Sequence, residues 1–295
     1  MDRVVLVANP TSGGGRARRV LPGAVSALRS VGIEHRVVVT HDGAHASEVA
    51  AEAARAGVRA VVAVGGDGLV GTCAAALAGT SSVLAVVPAG TGNDLARNLG
   101  LDPKDPFRSV SCLAEGRIRR IDTVAIEGRG WTARYSCVAG AGFDSEANEL
   151  ANSLTRLRGT PRYVAAVFRT LVRFQPARFS LWVDGREQEG RAMMVAVGNA
   201  TSYGGGMRIC PDALLDDGVV DVCVVGALPK LEFAATFPRV FRGTHVDHPA
   251  VRFMRGRRVQ LSADRPFRVY GDGEPLGHLP ATFTVDPRSL EVAAP

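Results

Sequence analysis

A chain of 295 residues, 46% hydrophobic and 22% charged, is long enough for two domains and has the make-up of a folded protein, which excludes a disordered or fibrous one. Its formal charge of +6, carried by arginine in all but two of 35 basic residues, favours anionic partners: a nucleotide, an acidic lipid surface or nucleic acid. Five scattered cysteines without a C-x-x-C pair argue against structural zinc and a disulfide framework and suit a reducing cytosol. No apolar run approaches the ~18–20 residues of a membrane span and nothing before Val4 reads as a signal peptide, so any membrane contact is expected to be peripheral.

Val4–Ala8 reads as a buried strand, broken by Asn9-Pro10-Thr11-Ser12-Gly13-Gly14-Gly15. Arg16–Ser30 follows with helical spacing. A second strand is expected over Arg36–Thr40 and a helix over Ala46–Ala56. The third strand, Val61–Val64, stops at Gly65-Gly66-Asp67-Gly68, and a helix begins with Leu69, Val70, Cys73, Ala76 and Leu77 on one face. The fourth unit runs Val83–Val87, then Gly90-Thr91-Gly92-Asn93-Asp94, then a short helix to Asn98. Strands alternating with helices predict an α/β N-terminal domain with a parallel sheet.

In such sheets ligands bind beyond the carboxyl ends of the strands. Three of the four turns there are rich in glycine, which lets bare backbone N–H groups and a helix N-terminus approach an anion. Asp67 would repel a phosphate directly, so its presence asks for a cation between them, and the stretch reads as a nucleotide–Mg²⁺ site. The first turn is not G-x-G-x-x-G, and no Walker lysine is near. Arg16 is the cation just after the first glycine run, placed either to reach a phosphate or to lie in solvent.

The texture changes near Asp122, where a domain boundary is expected. Strand-like runs recur at Trp131–Val138, Arg178–Val183, Arg191–Val197, Val219–Val225, Val259–Leu261, Phe267–Tyr270 and Thr282–Val285. They predict an antiparallel β-sandwich over residues 123–295, with helical insertions near Asp144–Leu157, Pro161–Phe174 and Pro229–Arg242; the last residues have the option of returning to the first domain. In Pro161–Phe174, Arg162, Arg169 and Arg173 lie to one side of an apolar stripe, a pattern that suits either an anionic membrane surface or an ordinary surface helix. Asp216-Asp217 reads as a cation site or as a hairpin turn. Gly271-Asp272-Gly273-Glu274-Pro275 sets two carboxylates in a tight turn, where one is able to accept the proton of a hydroxyl.

Taken in order, Gly65–Gly68, Gly90–Asp94, Tyr203-Gly204-Gly205-Gly206-Met207, Leu215-Asp216-Asp217-Gly218 and Asp272-Gly273-Glu274-Pro275 resemble the soluble bacterial diacylglycerol kinase and lipid kinase family, related to sphingosine and ceramide kinases. The resemblance covers nearly the whole chain. It implies an ATP- and Mg²⁺-dependent kinase acting on a lipid hydroxyl, most simply diacylglycerol to phosphatidic acid. It places ATP against Asn9, Arg16, Thr40, Gly65, Gly66, Asp67, Gly68, Leu69, Val70, Gly71, Thr91, Gly92 and Asn93. It implies an acidic network of Asp67, Asp94 and Asp122 around Mg²⁺, and a separate structural Mg²⁺ on Asp217 and the carbonyls of Leu214 and Val219. Glu274 resembles the family's proton acceptor, with Asp272 beside it as the other candidate. The family often continues its Gly-Asp-Gly turn with Thr and an Asn-Glu pair; Leu69, Gly71 and Thr72 stand there instead. A cytoplasmic protein at the inner face of the membrane is implied, with anionic phospholipid as partner, no nucleic acid and a possible homodimer. An NAD kinase-like enzyme and a non-catalytic nucleotide- or lipid-binding regulator are the alternatives.

Overall fold

The computed structural model describes residues 4–154 and 160–295, with residues 160–164 by backbone alone. Strands β1 (Val4–Ala8), β2 (His35–Val39), β3 (Ala60–Gly65) and β4 (Val83–Pro88) pair in parallel in the order β4-β3-β1-β2. Helices α1 (Ser12–Ser30), α2 (Gly43–Arg55) and α3 (Asp67–Leu77) make the crossovers. Successive strand residues face opposite sides. Val5, Val7, Val61 and Ala63 therefore feed one apolar core, and Val4, Leu6, Val62 and Val64 a second on the other face. Two-sided burial is why these strands are continuous apolar runs.

Helix α2 starts at Gly43, earlier than its apolar spacing suggests, because the Asp42 carboxylate accepts the His45 N–H at 2.8 Å and caps the first turn. In α1 the regular helix begins at Arg16. Gly13, Gly14 and Gly15 all sit in the left-handed region, with φ of 59°, 64° and 88°, a run that only glycine tolerates without strain.

After β4 come α4 (Asp94–Asn98), α5 (Arg108–Ala114), β5 (Ile118–Gly128), β6 (Trp131–Tyr135), β7 (Val138–Gly142), α6 (Phe143–Ser153) and α7 (Thr160–Arg173). The chain continues through β8 (Ala177–Val183), β9 (Arg186–Gly198), β10 (Val220–Gly226), α8 (Lys230–Thr236), two short 3₁₀ turns, β11 (Val251–Gly256), β12 (Arg258–Ala263), β13 (Arg268–Gly271), β14 (Glu274–His278) and β15 (Ala281–Ala293). Apart from the parallel pairing of β15 with β4, the strands from β5 onward pair antiparallel. The molecule is an α/β N-terminal domain followed by a mostly antiparallel β domain with a few helices.

Two expectations are corrected. The single strand read over Trp131–Val138 is two strands, because the N–H groups of Ser136 and Cys137 turn to the Asp272 carboxylate. The helix read over Pro229–Arg242 stops as an α-helix at Thr236; Pro238, with no N–H to donate, lies in a 3₁₀ turn. Of the helix read over Asp144–Leu157, Leu157 lies outside the described residues, as does the Arg162 side chain.

β15 crosses from one domain to the other. Its first residues pair with β12 and β5; its last, from Leu290, run between β5 and β4, with Val292 opposite Leu84. Asp122 lies inside the β5–β15 ladder, so the change of texture read there falls within a strand shared by both halves.

Candidate active site

The turn after β3 brings the bare backbone of α3's first turn to the sheet's carboxyl edge. Gly66 caps α3 in an extended conformation, and Val70 is the first residue to bond back to it. The N–H groups of Gly68 and Leu69 therefore have no partner within the helix. The Leu69 and Val70 side chains are buried, so only their backbone faces the turn. Leu69 fills the space beside Gly65, where a Cβ would lie 2.6 Å from Leu69 Cδ2.

The Gly90–Asp94 turn packs directly on this one. A Cβ on Gly90 would sit 2.4 Å from Gly66 Cα, backbone against backbone, so glycine is obligatory there. Asn93, left-handed at φ 55°, ties the loop to itself: its Oδ1 accepts the Gly90 N–H at 2.8 Å and its Nδ2 donates to the Gly90 carbonyl. Asp67 does not cap its own helix. Its carboxylate accepts the N–H groups of Asn93 and Asp94 and so braces the two turns together.

The second domain closes on this edge at two places. Gly205, in the Tyr203–Met207 turn, donates its N–H to Asp94 Oδ1 at 2.9 Å. From the other side, Glu274 reaches the first turn of α3, where a Cβ on Gly68 would lie 2.4 Å from Glu274 Oε1. Asp272 lies against the next turn, with its Cβ 3.7 Å from the position a Gly71 Cβ would take. Glycine at 68 thus leaves room for the Glu274 carboxylate, whereas a Cβ at 71 would make only ordinary contact with Asp272.

Four acidic groups converge here. A Cβ on Gly92 would sit 2.6 Å from Asp67 Oδ2 and 3.3 Å from Asp94 Oδ2, so these two oxygens face the same glycine. Burial first, then the Asp67 carboxylate, pushes Asp94 up to about 6. Burial also pushes Asp272 up to about 6, against the pull of N–H groups from Ser136, Cys137 and Val138, with Asp67 adding to the rise. Glu274 is raised by burial and then by Asp67. A cation among them would relieve this. A hard ion that keeps several waters needs only one or two carboxylates besides phosphate oxygens, and Asp67 with Asp94 is a donor set of that kind.

Among the residues named from sequence, Gly66, Asp67, Gly68, Gly71, Gly92, Asn93, Asp94, Asp272 and Glu274 come together. Gly13 packs on the start of the Gly90 turn, its Cβ position 2.1 Å from the Ala89 carbonyl oxygen. This puts Asn9 and Arg16 on the rim. Asn9 Oδ1 is engaged by the Thr11 N–H and hydroxyl, and Arg16 Nη2 donates to the Pro103 carbonyl at 3.3 Å. Thr91 is exposed beside them. Thr40 is buried, and its hydroxyl donates to the Ala8 carbonyl.

Asp122 joins a different group. Fully buried, it accepts the N–H groups of Gly218 and of Arg288 at the irregular point of β15, each at 2.7 Å, and its own N–H goes to the Leu215 carbonyl. The structure therefore sets it beside Asp217 as a tie between segments, not beside Asp67 and Asp94. At Asp217 one oxygen accepts the Val219 N–H and the other is held by Arg255, which also reaches Asp221 Oδ1 at 3.3 Å. The cation against this turn is a guanidinium. Leu214 is exposed, and Val219 half-buried. Among the described residues no three His, Cys, Asp or Glu side chains are grouped to hold an ion by themselves.

Three residues take roles that the sequence does not assign to them individually, although Asn199 and Gly205 lie in a polar, glycine-dense stretch, Gly198 to Met207, that reads as chemical. Asn98 bridges the domains: its Nδ2 donates to the Ser202 and Asp94 carbonyls and its Oδ1 accepts the Thr201 hydroxyl. Gly205 was visible only as part of a motif. Asn199 is fully buried, donating to the Asp122 and Ser136 carbonyls, while its Oδ1 has no partner among the described residues.

This is a two-domain kinase architecture, and comparison with known proteins agrees. Residues 3–126 match the Diacylglycerol kinase catalytic domain, and residues 137–294 match the YegS C-terminal NAD kinase beta sandwich-like domain. The chain belongs to the bacterial diacylglycerol kinase and YegS-like lipid kinase family, and it is an enzyme of that family. It is 35% identical to a diacylglycerol kinase of Mycobacterium tuberculosis (strain ATCC 25618 / H37Rv), over 100% of this chain and 96% of that protein. It is 27% identical to a diacylglycerol kinase of Bacillus subtilis (strain 168), over 100% and 97%. The crystal structure of a diacylglycerol kinase from Bacillus anthracis str. Sterne shares the fold, with a TM-score of 0.75 at 20% identity and coverage of 100% and 97%.

Proposed function

We propose that this enzyme transfers the γ-phosphoryl group of ATP to the free hydroxyl of diacylglycerol, giving phosphatidic acid and ADP. The observation that carries the reading is Glu274, from the second domain, lying against Gly68 at the first turn of α3. A proton acceptor from one lobe thus faces a phosphate-type cradle from the other. The relatives named diacylglycerol kinase support the same acceptor.

In this reading the free N–H groups of Gly68 and Leu69, with the Gly90–Asn93 turn, hold the phosphates at the helix N-terminus. Asn9, Arg16, Thr91 and the half-exposed Gly66 line the nucleotide side. Asp67 and Asp94 would hold Mg²⁺, through water, on the phosphate chain, where it would offset the charge that develops on the transferred group. Glu274 accepts the hydroxyl proton as the new O–P bond forms and the bond from the γ-phosphorus to the bridging oxygen breaks. Asp272 acts at one remove: its carboxylate is spent on three N–H groups, and it fixes the turn that presents Glu274. Thr40, Leu69 and Val70 support these turns from behind, whereas Asp122 ties β5 to the Gly218 turn and to β15. With a lipid acceptor the enzyme works at a membrane surface as a peripheral protein, on the cytoplasmic face where ATP is supplied.

The test uses labelled γ-phosphate, Mg-ATP and a panel of diacylglycerol, phosphatidylglycerol, sphingosine, ceramide and NAD. Diacylglycerol is expected to be labelled. E274Q is expected to lower turnover by about 10²-fold or more while nucleotide binding is retained. Labelling of NAD instead, or ATP binding without transfer to any acceptor, would replace this reading with one of its two alternatives.

A further inference from the structure

After β2 the chain turns through Thr40-His41-Asp42 and enters α2 at Gly43. Asp42 caps the helix by accepting the His45 N–H, and the cap brings His45 back beside His41, four positions earlier. The two imidazoles face each other, Nδ1 to Nδ1 at 2.8 Å, with ring centroids 4.3 Å apart. The His41 side chain is 73% exposed, so the pair opens to solvent. Core packing accounts for neither ring, because α2 meets the core through Ala46, Val49, Ala50 and Ala53.

Only one hydrogen fits between the two Nδ1 atoms. Behind His41, Asp42 Oδ2 lies 3.5 Å from Nε2. A carboxylate on that side favours the tautomer with its hydrogen on Nε2, which leaves the His41 Nδ1 lone pair aimed at His45. Histidines that ligate metals are held in this way, with a carboxylate behind the ring. The spacing also sorts the ions. Bonds from a metal to imidazole nitrogen are about 2.0–2.1 Å long; two of them set their nitrogens roughly 2.9 Å apart at a right angle and roughly 3.3 Å apart at the tetrahedral angle. The spacing of 2.8 Å fits the right angle, which belongs to square-planar and tetragonal ions bound by nitrogen and oxygen.

We infer that His41 and His45 chelate a divalent transition-metal ion of the Cu²⁺ or Ni²⁺ type through their Nδ1 atoms. The ion takes the place of the shared proton, which passes to solvent, and water fills its remaining positions. This site is distinct from the Asp67–Asp94 pair. Imidazole nitrogens suit these ions, whereas carboxylates with phosphate oxygens suit Mg²⁺. No thiol competes at the surface, since all five cysteines are buried. The site belongs to the nucleotide lobe: the Cβ position of Gly43 lies 3.9 Å from Thr72 Oγ1 on α3. The inference does not depend on which hydroxyl accepts the phosphoryl group.

Untagged full-length protein, stripped of metal with a chelator, is titrated with Cu²⁺ alone and followed by calorimetry and electron paramagnetic resonance. Wild type is expected to bind a single ion with the hyperfine pattern of two equatorial nitrogens and to keep it in excess Mg²⁺. H41Q and H45Q should each weaken binding at least about tenfold, since losing a ligand costs no less than losing the group behind it. Asp42→Asn keeps an oxygen for the helix cap but removes the charge behind His41, and should weaken binding about tenfold. All three variants should melt like wild type without metal, because the altered groups lie on a solvent-facing turn. Copper held through one nitrogen, undiminished affinity in H41Q/H45Q, or no binding by wild type, which would leave only a hydrogen-bonded pair, would overturn the inference.

Discussion

Glu274 and Gly68 constrain each other. A methyl group on residue 68 would meet the far end of a flexible side chain, not backbone, so Gly68→Ala is expected to fold. It should move the carboxylate off the α3 turn and reduce turnover by one to two orders of magnitude, roughly, with little change in melting temperature. Gly90→Ala is the contrasting case, because its Cβ would strike the Gly66 backbone. That variant should lose stability before it loses anything else, which a melting curve beside the G68A curve would show.

The carboxyl groups also make stability depend on pH. Asp94 in the folded protein titrates near about 6, above its ordinary 3.8. Between these values the folded chain holds the proton that the unfolded chain has lost. Its stability from this group is therefore greatest below about pH 4 and falls as pH rises through about 6. Asp272 acts in the same direction. Measured against wild type across this range, Asp94→Asn should keep an acceptor for the Gly205 N–H while flattening the decline in melting temperature. Added Mg-ATP should restore wild type most at neutral pH. An unchanged pH profile in D94N would mean that the strain lies elsewhere.

At the scale of elements, what could be read in advance divides by the range of the interaction. Buried strands β1, β3 and β4 and the glycine-rich turns after them announce themselves, because a continuous apolar run that stops at a polar, glycine-rich turn is a local signal. β5 and the far end of β15 carry weaker local signals, because they are fixed by partners far along the chain, as Leu290 is by Ile121. The break between β6 and β7 was invisible for the same reason: its cause is a carboxylate 135 positions away. Site residues follow suit. Asp67, Asp94 and Glu274 sit in motifs, whereas the bridge made by Asn98 and the tie made by Asp122 depend on which loops meet. Asp272 was read as a chemical group, but its three N–H partners give it a structural task. Asp272→Ala should leave those donors without an acceptor and cost about 1–3 kcal/mol, more than E274Q does in the same denaturation experiment.

At the scale of the molecule, the two lobes are stitched as well as apposed. Asp94 holds Gly205, Asn98 holds Ser202, and Asp122 fastens β5 to the Gly218 turn and to β15. The strongest stitch is β15 itself. Ser109 on α5 donates to the Ala293 carbonyl, and Ala293 and Ala294 are buried in the first domain. Removing the residues after Asp286 should therefore damage the nucleotide lobe, although they come from the other end of the sequence. Protease resistance of residues 4–117 in the shortened chain would measure it, and an intact lobe would count against the stitch.

A ribosome releases the opening third of this polypeptide long before Val292 emerges. Until then β4 has an open flank, a row of N–H and C=O groups with nothing to bind and a template for stray strands. The half synthesised first is thus the half completed last. The last residues made are therefore the ones that cover the edge of the first sheet.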